Sequence, residues 1–120
     1  MTSGEALHEF FNSFDVPAYP ETAVPDDAGY PRITYSVGTG YFGEGEMVLT
    51  ANIWYRGESE AEPTAKAVQI GDEIGRNGCT ASVDGGYIWL KRGSPFMTVV
   101  PDEDNSIKRR KLNITAEFFI

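Results

Sequence analysis

One cysteine, one histidine and ten basic residues are all that this 120-residue chain holds of the groups most used for disulfides, metal ligation and phosphate contacts. Cys79 alone cannot close an internal disulfide, so the fold is expected to form without oxidation, as in a reducing compartment. His8 is the sole histidine and falls on a helical stretch beside Phe11, with Glu5 and Glu9 read as solvent-facing neighbours. A nucleophile needs a base within reach, and Cys79 has no such partner in the sequence; it reads as a small buried residue at a strand entry. No apolar stretch approaches the roughly 20 residues that span a bilayer. The start, Met1 to Glu5, has neither a basic region nor an apolar region of a secretory leader, so the expectation is a soluble, unexported protein with no membrane partner. Basic residues are outnumbered by 18 acidic ones, for a net charge of −8, and such a chain repels a phosphate backbone. The acidity either keeps a small domain soluble or lines a channel that faces DNA without gripping it.

What is present is enough for a core. Hydrophobic residues make up 41% and aromatics 12%, far from a disordered composition, and the length suits one domain over residues 1–120. The clearest pattern is at the end. Leu112, Ile114, Ala116, Phe118 and Ile120 alternate with Lys111, Asn113, Thr115 and Glu117, which marks a strand with one face buried and one wet. A chain ending on Phe-Phe-Ile is expected to dock that strand within a sheet or against another subunit.

Leu7, Phe10, Phe11 and Phe14 follow helical spacing, with Thr2 and Glu5 placed for a capping box. Pro17, Pro20, Pro25 and Pro31 then exclude a helix or a central strand, leaving a loop of about seventeen residues anchored by Tyr19, Val24 and Tyr30; connections this long tend to be functional. Residues 33–37 and 47–55 alternate as two strands of a hairpin. Between them, Gly38 to Gly43 match the dinucleotide fingerprint G-x-G-x-x-G, but the segment leads into a strand instead of opening a helix, so a flexible hairpin loop is the reading.

A second helix is predicted from the Ser59–Glu62 capping pair, with Pro63 in its first turn, to a stop at Gly75, Asn77 and Gly78, with Gly78 as the C′ residue. Ala67, Ile70, Gly71 and Ile74 form its apolar face, widened by Ala65 and Val68. Strands follow at 80–83, 87–92 and 96–100, the first two joined by Asp84-Gly85-Gly86 and the next by a turn at Arg92 to Pro95, before the polar loop 101–106 and the last strand. The expected fold is α+β, a single mixed, mainly antiparallel sheet of about six strands with two helices packed on it.

No catalytic, cofactor-binding or metal-binding set emerges, and the chain is read as not an enzyme. Asp102, Glu103, Asp104 and Asn105 lack the spacing of an EF-hand and read as a solvated turn. Lys108, Arg109, Arg110 and Lys111 split between two faces of a strand; they either neutralise the adjacent acidic loop or meet acidic surface on a neighbouring copy.

The run Pro31-Arg32-Ile33-Thr34-Tyr35, then Ile53-Trp54-Tyr55-Arg56 before an acidic helix start, then Ile88 to Phe96 and the closing Lys-Arg-Arg strand resembles the small tail-terminator or tail-completion (head-tail joining) proteins of long-tailed bacteriophages and prophages, across most of the chain. The resemblance implies an α+β structural protein of virion assembly that forms a homo-oligomeric ring, as a hexamer, caps the tail tube and provides the head-joining face. It implies self, a tail-tube protein and a head-tail connector protein as partners, with DNA passing through the lumen without specific binding, and a place in the virion tail after assembly in the host cytoplasm. No cofactor and no catalytic residue carry over. The candidate interface residues are Tyr41 and Phe42 in the glycine-rich loop, Tyr19 and Tyr30 in the proline-rich loop, and Arg109 and Lys111 on the last strand. Other readings are a different head-tail connector component, or a non-viral small ligand-binding or accessory domain.

Overall fold

Thr2 opens the fold by capping helix α1 (Ser3–Phe11): its hydroxyl accepts from the Glu5 N–H at 3.1 Å and the Glu5 carboxylate accepts from the Thr2 N–H at 3.0 Å, the reciprocal pair expected from the sequence. The computed structural model describes residues 1–37 and 46–120. The glycine-rich stretch, with Tyr41, Phe42 and the fingerprint-like glycines, lies outside the described residues. After α1 come strand β1 (Ala18–Pro20), a 3-10 turn at Glu21–Ala23, strands β2 (Arg32–Val37) and β3 (Glu46–Arg56), helix α2 (Ala61–Ile74), and strands β4 (Cys79–Val83), β5 (Gly86–Val100) and β6 (Ile107–Phe119).

The six strands form one sheet in the order β1-β2-β3-β6-β5-β4, parallel only between β1 and β2. The α+β expectation holds. The last strand docks within the sheet at its centre, where β6 pairs with β3 from Glu46↔Glu117 to Arg56↔Ile107 and with β5 on its other side. Both helices cover one face. Leu7 and Phe11 of α1 and Ala67, Ile70 and Ile74 of α2 meet Ile33, Leu49, Ala51, Ile53, Ile88, Leu90, Leu112, Ile114, Ala116 and Phe118, all buried. Burial at about 25 cal/mol per Å² of apolar surface makes this layer the main source of stability.

Several expectations are corrected. The proline-rich segment is no plain loop, because β1 adds at the edge of the sheet, where Pro20 needs no ladder donor. No turn divides residues 87–92 from 96–100: both stretches pair with β6, and Gly93, Ser94 and Pro95 form an irregularity within one long β5. Six strands result because β1 is gained and two stretches fuse. Helix α2 ends at Gly75, whose φ of +79° takes the cap assigned to Gly78; its N-cap is Glu60, and Ser59 Oγ only accepts from the Glu62 N–H at 3.4 Å. Ala65 and Val68 face outward, Val68 with 53% of its surface exposed. Phe14 lies past the end of α1 but is buried. Ile120 is 67% exposed, since the ladder stops at Phe119.

Candidate functional site

Helices cover one side of the sheet and leave the other open, and strand alternation decides what that open side presents. Counting along β2, β3 and β6 from the buried positions places Arg32, Thr34 and Ser36, then Val48, Thr50, Asn52, Trp54 and Arg56, then Arg109, Lys111, Asn113, Thr115, Glu117 and Phe119 on it. Register then lines them up in rows: Arg32–Trp54–Arg109, next Thr34–Asn52–Lys111, next Ser36–Thr50–Asn113.

The first row is a ladder of alternating cations and rings. Arg56 lies 4.9 Å from the centroid of Tyr30, Arg32 lies 4.4 Å from Tyr30 and 5.7 Å from Trp54, and Arg109 lies 4.7 Å from Trp54. Polar contacts hold the ladder in place. Trp54 Nε1 donates to Thr34 Oγ1 at 3.0 Å, Arg109 Nε donates to Asn52 Oδ1 at 2.8 Å, and Arg32 Nη1 donates to the Ala28 and Gly29 carbonyls at 3.3 and 3.4 Å. Stacked guanidiniums keep their in-plane N–H groups for other acceptors, and Arg32 Nε is buried with no acceptor among the described residues. The ion pairs among the described residues are Met1–Asp84, Lys91–Glu46 and Arg110–Glu60; none involves Arg32, Arg56, Arg109 or Lys111. A protein of net charge −8 thus concentrates four cations, none of them in an ion pair among the described residues, at one end of one face.

The opposite end of the face is different in kind. Lys91 pairs with Glu46 and lies 4.5 Å over the Trp89 ring, Glu117 stands opposite Trp89, and Tyr87 stacks on Phe119 at 4.9 Å with both rings exposed.

Of the residues singled out from sequence, Tyr30 and Arg109 belong to the ladder and Lys111 to the next row. Tyr19 is half-buried on β1, beside Thr34. Tyr41 and Phe42 lie outside the described residues. The basic run splits between faces as expected. Arg110 turns under α2, 2% exposed, and Lys108 donates to the Asn105 carbonyl at 2.6 Å. Arg32, Trp54 and Arg56 are not among the candidate interface residues that the sequence offers. Their shared parity was visible in sequence, but the alignment of β2, β3 and β6 that joins them was not.

Several other chemistry-bearing groups have partners within the fold among the described residues. Asp102 and Asp104 cap their own turn, accepting from the Asp104 and Ser106 N–H groups at 3.0 and 2.9 Å. The Ser106 hydroxyl and N–H hold the Asp104 carboxyl below its ordinary range, with Arg56 and Lys108 adding to the effect. Burial pushes the half-buried Cys79 thiol up, and Glu73 adds to it, away from the thiolate that reacts. His8 Nδ1 lies 3.3 Å from the Tyr35 hydroxyl, while Glu9 is exposed and Glu5, also exposed, turns its carboxylate back to the Thr2 N–H. No group of three or more metal-ligating side chains occurs among the described residues, and no helix there is long and apolar enough to cross a membrane. Two clefts of about 710 and 670 Å³ flank α1, both open to solvent.

No family model matches the chain, and no curated protein matches it. Its fold does match a solved one: a chain from the virion of a native gene transfer agent particle superposes with a TM-score of 0.65 at 15% identity, covering 96% of this chain and 92% of that one. At that identity the likeness is one of fold, extending over nearly the whole length of both chains.

Proposed function

We propose that this chain is a structural protein of a phage-like virion, and within that class a tail terminator. The observation that carries the proposal is the near full-length likeness in fold to a chain of a gene transfer agent virion, a phage-like particle. The likeness joins the sequence resemblance to tail-terminator proteins, reached from the order of elements and from the Ile53-Trp54-Tyr55-Arg56 and Ile88 to Phe96 segments.

In this reading the subunits close a ring, a hexamer, that caps the tail tube, offers its far side to the head-tail connector and lets DNA pass along a lumen whose walls repel phosphate. The protein acts by fitting surfaces and carries out no reaction. A half-buried, raised-pKa thiol and carboxylates engaged as turn and helix caps support that reading. Electron microscopy and mass measurement test it. Purified chain mixed with tail tubes is expected to appear as a cap on one tube end, with a mass of six copies of the 13.2-kDa subunit. Tubes that stay uncapped and keep elongating in its presence would refute the terminator role.

A further inference from the structure

We propose that the arginine-aromatic end of the open sheet face is the socket for the outward face of α2 from the next copy of this chain. The inference rests on the ring reading above and adds which surfaces meet. Four of the ten basic residues lie in the socket, so 18 acidic residues share the rest of the chain with the other six. Arg32, Arg56, Arg109 and Lys111 form no ion pair among the described residues, Arg56 acting on Asp104 only at longer range, and the Tyr30 and Trp54 rings are already covered by guanidiniums. The rings therefore offer little face for stacking a base, and what the socket has to give is charge and in-plane N–H donors that fit carboxylates.

The outward face of α2 has the matching chemistry. Glu62, Asp72 and Glu73 are exposed there, around a low stripe of Ala61, Ala65 and Val68 that lets another surface approach closely. The helix has no basic residue in its last turn, and its one lysine, Lys66, is occupied by the Phe14 carbonyl and Gln69 at 2.7 and 2.8 Å. Socket and helix lie on opposite layers of the subunit. Two sockets cannot face each other, because that would set four cations against four. The contact is therefore head to tail, and a head-to-tail contact propagates into a ring or a filament instead of stopping at a dimer.

Two tryptophans make the test direct, since Trp54 lies in the socket and Trp89 at the far end of the same face. The Trp54 indole NMR signal of the whole chain is expected to move as protein concentration rises from about 20 µM to about 1 mM, the range of weak association. It should stop moving at about 1 M salt, where charges are screened beyond roughly 3 Å. Lys111→Glu, which leaves the stacked ladder intact, and Arg109→Glu should each weaken self-association at least about tenfold. Combining Lys111→Glu with Asp72→Lys and Glu73→Lys in one chain should restore it. A Trp54 signal that stays fixed across the range overturns the proposal, as does one that moves only on addition of a short DNA duplex. Association of undiminished strength in both reversal variants overturns the socket while leaving a ring built on other surfaces standing. Reversal variants that the α2 changes fail to rescue overturn α2 as the occupant.

Discussion

Arg110, 2% exposed beneath α2, sets Nη2 at 3.3 Å from both the carboxylate and the backbone carbonyl of Glu60. Its Nε donates to Thr64 Oγ1 at 3.2 Å and its Nη1 to the Arg109 carbonyl at 3.1 Å, so a charge in the core layer is held by four hydrogen bonds and ties the start of α2 to the central strand. The two partners are unequal, because the Glu60 side chain keeps 60% of its surface in water. Arg110→Ala, which removes packing and four hydrogen bonds, is expected to destabilise by about 2–4 kcal/mol. Glu60→Gln should cost under about 1 kcal/mol, since solvent already screens the carboxylate and the other acceptors remain. Urea unfolding of the two variants measures the asymmetry; equal losses would contradict it.

Trp54 links two arginines and Thr34 across three strands. Replacing it by Leu keeps an apolar strand residue but removes two cation–π contacts of roughly 0.5–1 kcal/mol each and one hydrogen bond of about 1 kcal/mol, so a loss near 2–3 kcal/mol is expected. The denaturation midpoint should fall with an unchanged slope, as befits a loss of native contacts alone.

Gly86 follows the Asp84-Gly85 turn and has no room for a methyl group. A Cβ there would lie 1.7 Å from the Phe119 carbonyl oxygen, a backbone atom that can yield only by breaking the β5–β6 ladder. Gly86→Ala is expected to cost at least about 2 kcal/mol. Gly85→Ala meets only Ile120 at 3.7 Å, and its φ of +82° accounts for a smaller loss of about 1 kcal/mol. Thermal melts of the pair should rank in that order.

Glu5 titrates with a fold-linked bias. The Thr2 backbone N–H, then the Thr2 hydroxyl, hold its carboxyl below the ordinary value of 4.5. A depressed acid contributes stability that is present in full above the unfolded value and is lost as pH falls through the folded one. Glu5→Gln can still cap the helix while no longer titrating. It is expected to leave stability at about pH 7 little changed and to shrink the loss seen below pH 4.5, in a pH series of urea midpoints.

Much of the architecture was legible beforehand because it rests on local rules. The Thr2–Glu5 box, the β2–β3 hairpin, the Asp84-Gly85 turn and the alternation of Leu112 to Phe118 each depend on residues a few positions apart. The errors fell where a partner outranks local preference. Pro95 and Gly93 look like a turn, yet pairing with β6 on both sides carries β5 through them. Pro20 looks like loop, yet β2 offers an edge that needs no donor from it. Val68 looks like core because helical spacing cannot say how wide a stripe the sheet beneath will cover.

The amino-acid order alone determined the centre of each apolar face, the acidic balance of the chain and the scarcity of reactive groups, since these follow from composition and from periods of 2 and 3.6. Only the tertiary structure decided that Tyr30, Arg32, Trp54, Arg56 and Arg109 form one ladder and that Arg110, next to Arg109, goes under a helix instead. The reason is register: Arg109 lies 55 residues from Trp54 along the chain, and which strands become neighbours, and in what alignment, is set by burying all the apolar faces at once.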